Sequence, residues 1–172
     1  MLIGLIIIVL TIVIDQVTKQ LSVHLIKGGD PVVFWRGMIE FHYHENYGIS
    51  FSNLEGQYMI FFAVTLVSLA LFGYLFLDSS FKDKKVYSIS VAMFIGGTFG
   101  NVIDRALFGF VIDWLHFPFL TPVLGVVGLS NFYNNMADMF LSAAIVLFMI
   151  DLFFLEPKRH KRTKGKAHDA DV

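Results

Sequence analysis

The stretch Gln57–Leu77, QYMIFFAVTLVSLALFGYLFL, carries no Asp, Glu, Lys, Arg or His. It has the length that about 30 Å of hydrocarbon demands of a helix. Working outward, three more stretches approach that length: about Leu2 to Leu21, Val86 to about Ile103, and about Met136 to Leu155. Gln57–Leu77 and Val86–Ile103 are uninterrupted, whereas Asp15 and Lys19 sit inside the end of the first stretch, and Asp138 and Asp151 bracket the last. Composition agrees with a membrane chain, since 56% of the 172 residues are hydrophobic and 16% charged, against about 45–50% and 25% in soluble domains. Thirteen basic and fourteen acidic side chains nearly cancel, so no strong field invites nucleic acid. With no cysteine, disulfides, thiolate nucleophiles and Cys-ligated metals are ruled out. The chain cannot itself carry a lipid on cysteine either. Leu2–Ile14 lacks both a basic n-region and a small-x-small cleavage site, and is expected to be retained as a helix.

Orientation follows from the positive charges. Lys82, Lys84 and Lys85 in the second loop, with Lys158, Arg159, Lys161, Arg162, Lys164 and Lys166 in the tail, hold nine of thirteen. That side is expected to be cytoplasmic, together with both termini. Residues 1–156 then form one integral membrane domain with spans near 2–21, 57–77, 86–103 and 136–155, and residues 157–172 a disordered basic cytoplasmic tail. The segments Ser22–Gly56 and Asp104–Asn134 face outward. In the first, Val32–Trp35, a turn at Arg36-Gly37, and Met38–His44 read as two short strands. The second, with Pro118, Pro122, Gly125 and Gly128, reads mostly as loop. The expected architecture is an α-helical polytopic membrane protein with four transmembrane helices and a small extracytoplasmic β-sheet or cradle.

This topology brings Asp15, Lys19, Asp104, Arg105 and Asp138 to one depth, near the outer leaflet. Charges in hydrocarbon cost from about 2.5 kcal/mol upward and mark pairing or function. Asp15 and Lys19, one turn apart, read as an internal ion pair. Asp104 beside Arg105 reads equally as anchor or substrate contact. Asp151 lies about 20 Å along the helix from Asp138 and reads as a solvated or snorkelling group outside any site. Asp113 and Asp138 each lack an adjacent cation and have apolar neighbours. Should they meet, both cannot ionise, and the pair would share a proton as in aspartic proteases. An Asp at a helix start is also an ordinary N-terminal charge, so spacing alone leaves both readings open.

Asn46 and Asn101 can hydrogen-bond a peptide backbone. Gly96, Gly97 and Gly100 suit close helix packing or the approach of an extended peptide. His42 and His44 share a strand face, a metal-pair spacing without an evident third ligand, so interfacial hydrogen bonding is the preferred reading and no metal or cofactor is expected. Two other classes are weighed. A proton-coupled transporter or channel subunit would place polar groups at several depths; a His42/His44 metalloprotease would lose activity on chelation.

Five motifs occur in order: Asp15-Gln16-Val17-Thr18-Lys19, Asn46-Tyr47-Gly48-Ile49-Ser50-Phe51, Gly96 through Arg105, Val111-Ile112-Asp113-Trp114, and Asn135-Met136-Ala137-Asp138. Together they resemble bacterial lipoprotein signal peptidase, signal peptidase II, from residue 15 to about 155. The resemblance implies a multi-pass aspartic endopeptidase of the bacterial cytoplasmic (inner) membrane. It implies cleavage of prolipoproteins before their diacylglyceryl-modified cysteine, with Asp113 and Asp138 as the catalytic dyad. It further implies that Asn46, Gly48, Asn101, Arg105 and Asn135 contact substrate or shape the pocket, and that Asp15, Lys19 and Asp104 hold structure. Lipid-modified prolipoproteins, membrane lipid and cyclic depsipeptide inhibitors are the implied partners. Two departures, Asn134 where an aromatic is usual and Ser50 where alanine is usual, touch pocket lining rather than acid–base groups.

Overall fold

A computed structural model describes residues 1–48, 57–126 and 132–162, with the side chains of residues 57–62 outside the description. Helix α1 (Leu2–Leu25) is organised the reverse way round from a water-soluble helix. Its buried residues are Gly4, Thr11, Asp15, Lys19 and Ser22, spaced as one stripe, while Leu5, Ile6, Val9, Leu10, Val13, Val17 and Leu21 are exposed. Polar and small groups inside with apolar groups outside is the arrangement lipid favours, because hydrocarbon surroundings leave only packing and hydrogen bonding to hold helices together. Helices α1, α3 (Lys85–Phe108) and the run Met136–Arg162 are each long and apolar enough to cross a membrane. Helix α2 (Gln57–Leu77) adds the apolar stretch Ala63–Leu77.

Helix α3 is the central element, packed against α1, α2 and α5 (Met136–Ile150). Small residues make this possible. A Cβ on Gly96 would stand 2.7 Å from the Thr11 side chain, and one on Gly97 would stand 2.8 Å from the Ala137 carbonyl oxygen. Toward the opposite end Phe76, Val91, Ala92 and Ile95 form an apolar core, with Phe72 stacked on Phe94.

Outside the bundle lies a four-stranded antiparallel sheet in the order β1 (Val32–Trp35), β2 (Ile39–Asn46), β3 (Val111–His116), β4 (Tyr133–Asn134). The first hairpin is the one expected from sequence. The second outer segment differs from expectation: rather than mostly loop, it supplies β3 and β4, followed and separated by a 3-10 turn (Pro118–Leu120) and a short helix α4 (Thr121–Gly125). Strand β3 is buried along most of its length, and its hydrogen-bond partners come from β2, far away in sequence, so no local pattern announces it. Gly109 lets the chain turn from α3 into β3. It has φ +80°, a left-handed conformation open to glycine, and its N–H donates to the Arg105 carbonyl.

The C-terminal span also departs from expectation. Helix α5 passes through one π-helical turn (Asp151–Leu155) and continues in helical form to Arg162, so residues 157–162 are not a disordered tail; the remainder of that tail, with Ser50 and Gly128, lies outside the described residues. Asp151 is not a solvated group. It is 1% exposed, with both oxygens bound by Arg159 at 2.8 and 2.6 Å. A fork-shaped guanidinium matched to a carboxylate explains how this charge is tolerated there.

Candidate active site

Two layers of polar side chains lie where α1, α3 and α5 meet the sheet. The inner layer centres on Lys19, which is fully buried. Its ammonium lies 2.8 Å from Asp15 Oδ2 and 3.0 Å from Asp104 Oδ2, and it donates to Asn101 Oδ1 at 3.0 Å. The carboxylates reach onward. Asp15 Oδ1 accepts the Ala137 N–H of α5 at 2.8 Å. Asp104 Oδ2 accepts the Ile112 N–H at 2.9 Å, tying β3 to α3. Gln16 Nε2, a participant the sequence reading missed, donates to Asp104 Oδ1 and to the Gly100 carbonyl. Gly100 must lack a side chain, because a Cβ there would meet Asp15 Oδ2 at 2.5 Å. Asp15, Lys19 and Asp104 thus form one buried ion cluster, and Gly96, Gly97 and Gly100 stand at close approaches between helices.

The outer layer holds Asp113 from β3 and Asp138 from the first turn of α5. Asn135 caps that helix: its Oδ1 accepts the Asp138 N–H at 3.0 Å, while Asp138 Oδ2 accepts the Asn135 N–H at 3.3 Å. This reciprocal box fixes the Asp138 side chain. Asn135 Nδ2 then donates to Asp113 Oδ1 at 2.7 Å, so one asparagine touches both carboxyl groups. Asn46 Nδ2 donates to the other oxygen, Asp113 Oδ2, at 2.8 Å. Asn101 Nδ2 donates to Asp138 Oδ1 at 2.7 Å.

The orientation of each amide follows from what its oxygen accepts. Asn101 Oδ1 takes hydrogen bonds from Lys19 and from Asn135 Nδ2, which turns its NH2 toward Asp138. Asn46 Oδ1 accepts the Gly48 N–H at 2.8 Å, which turns its NH2 toward Asp113. The two layers are thus joined through Asn101. The side-chain amides of Asn46, Asn101 and Asn135 all donate to the two carboxyl groups. Arg105 is half-buried in the last turn of α3, with Nη1 3.4 Å from the Asn101 carbonyl oxygen. Asn134 is buried on β4, opposite Leu115.

Asp113 is 1% exposed. Burial first, and then the negative charge of Asp138, push its pKa up to about 7, against the pull of the Asn46 and Asn135 hydrogen bonds. A carboxyl group that changes hands with protons near neutrality can serve as acid or base.

The two strand histidines do not pair. His44 is exposed and stacks on Tyr133, whereas His42 Nε2 lies 3.0 Å from Glu40 Oε2. Glu40 also faces His116 of β3. Neither Glu40 nor His116 was singled out from sequence; the alternation Glu40-Phe41-His42 carried a signal only once β3 was known to lie alongside.

A family model described as signal peptidase (SPase) II matches residues 7–154. The lipoprotein signal peptidase of Listeria monocytogenes serotype 4b (strain CLIP80459) is 32% identical over 157 residues, covering 90% of this chain and 92% of the relative. That of Lactobacillus johnsonii is 29% identical, covering 90% and 94%. A solved bacterial membrane enzyme, determined in meso at 1.9 Å resolution, superposes with a TM-score of 0.73 at 27% identity, covering 88% of this chain and 92% of the other.

Proposed function

The chain belongs to the signal peptidase II family, and from that premise we propose that it is an aspartic endopeptidase in which Asp113 and Asp138 cleave the signal peptide from prolipoproteins without a metal. The family supports removal of prolipoprotein signal peptides by a membrane protease. The finer reading places the cut before the diacylglyceryl-modified cysteine. The chief support for the aspartate pair is the position of Asn135, whose side-chain amide donates to Asp113 and whose backbone N–H donates to Asp138.

In this reading Asp113 enters protonated and Asp138 ionised. Asp138 draws a proton from a water molecule as the water oxygen bonds to the scissile carbonyl carbon, and Asp113 donates its proton to the carbonyl oxygen. The resulting gem-diol collapses: one hydroxyl proton returns to Asp113, the C–N bond breaks, and the leaving nitrogen takes the proton held by Asp138. Lys19, through Asn101, supplies a fixed positive potential behind Asp138 without entering the reaction. A substrate anchored by its acyl chains would present its peptide bond at the depth of this layer, which lowers the entropic cost of alignment.

Four spans, α2 included, an inner-membrane location, cytoplasmic termini and an outward-facing site complete the proposal. Asn46, Gly48, Asn101, Arg105 and Asn135 shape the pocket, and cyclic depsipeptide inhibitors are expected to occupy it. The deciding experiment replaces Asp113 and Asp138 singly by Asn in purified enzyme and follows cleavage of a lipidated precursor. Loss of at least about 10²-fold is expected for each, the usual scale for removing a general acid or base; near-normal turnover in either variant refutes the pair.

A further inference from the structure

On the sheet, apart from the aspartate pair, two strands bring three metal-binding side chains together. Glu40 and His116 are cross-strand partners in the β2–β3 register, and His42 follows two residues along β2. Glu40 Oε2 lies 3.0 Å from His42 Nε2 and 3.4 Å from His116 Nδ1. The imidazole rings are 5.0 Å apart, and all three donor atoms lie within 4.8 Å of one another.

Two donors held about 2.0–2.2 Å from a tetrahedral ion stand about 3.3–3.5 Å apart. Both Glu–His edges are close to that separation, and the third, between the two imidazoles, is within 4.8 Å. The side chains of His116, His42 and Glu40 are 15, 20 and 24% exposed, so the triangle is supported from beneath and open to water at a fourth position. Tyr133 packs against both imidazoles and limits their movement. Two nitrogens and one carboxylate suit a borderline divalent ion such as zinc, rather than magnesium or calcium, which prefer all-oxygen sites.

We propose that Glu40, His42 and His116 form a binding site for a zinc-like divalent transition-metal ion, with water as fourth ligand, that clamps β2 to β3. The site takes no part in peptide hydrolysis and stands independently of the function proposed above. Its structural effect falls on β3, the strand that carries Asp113, so the bound ion stiffens one support of the aspartate pair.

The test uses the full-length protein in detergent, free of any histidine tag and stripped of metal with a chelator. Zinc titrated by calorimetry is expected to bind as one saturable equivalent and to raise the thermal midpoint. Cobalt(II) in its place is expected to give visible absorption of tetrahedral intensity. H42A and H116A should each weaken binding at least tenfold and abolish the cobalt spectrum, while H44A leaves both unchanged. E40Q keeps the shape of the glutamate but removes its charge, so it reports on the site if an alanine variant fails to fold. No saturable binding would leave Glu40 as a hydrogen-bonding clamp and overturn the proposal. So would binding that survives both H42A and H116A, or that disappears only in H44A.

Discussion

At the residue scale, the behaviour of Asp113 sets the pH response. Its folded pKa of about 7 lies above the ordinary carboxyl value of 3.8, so the folded state holds this proton more tightly than the unfolded chain does. The stability linked to Asp113 is therefore complete below about pH 4 and is lost as pH rises through about 7. Relative to D113N, the thermal midpoint of the parent protein should fall between pH 5 and pH 8.5, measured in detergent by intrinsic fluorescence. Because Asp113 must enter protonated, kcat/KM should also decline above about pH 7; a profile flat from pH 6 to 9 would remove Asp113 as the acid. Asn135 acts by positioning. N135A is expected to cost about 1 kcal/mol as a lost helix cap and to lower kcat by about 10²-fold with little change in KM, since its side chain donates to the Asp113 carboxyl and caps the turn that carries Asp138. Equal losses in N135A and N135D would point to the donated hydrogen bond, because Asp retains capping but cannot donate to Asp113; a loss confined to N135A would point to the cap alone.

At the scale of elements, the inner ion cluster joins α1 to α3 and, through Asp15 and Asp104, to α5 and β3. K19M would leave two carboxylates buried without their cation, and breaking such a pair costs about 3–5 kcal/mol. A large fall in the thermal midpoint is expected, with activity lost in proportion to folded protein. G97L would drive a side chain into the backbone of Ala137, where relief requires α5 to move; overpacking of this kind costs about 1–3 kcal/mol. Hydropathy made the helices legible in the sequence, because each apolar run reports on its own environment. The charges of α1 and α3 were legible too, since their depth follows from residue counting along helices. What escaped the sequence depends on contacts between distant segments. Strand β3 is defined by register with β2, and Gln16 shows its role only once α3 lies alongside. Asp151 finds Arg159 two helical turns away, a pair obscured by the expectation that the helix ended before it. The asparagines were noticed as polar helpers, but their amide directions emerge only from the complete hydrogen-bond network.

At the scale of the whole molecule, the apolar exterior and polar interior amount to a statement about solvent, and orientation is the property to test. The absence of cysteine makes this simple, because any single introduced thiol is unique. In intact cells stripped of outer layers, R36C should react with a membrane-impermeant maleimide, whereas K82C should react only after the membrane is opened. Labelling of both from outside would overturn the assigned topology. Lys19, finally, dictates something about how the molecule is made. Asp15 enters the bilayer with its counterion one turn along the same helix, but Asp104 emerges much later and finds its buried cation on the segment synthesised first. The buried cluster is therefore completed only when α3 meets α1, whose own pair already offsets its charge.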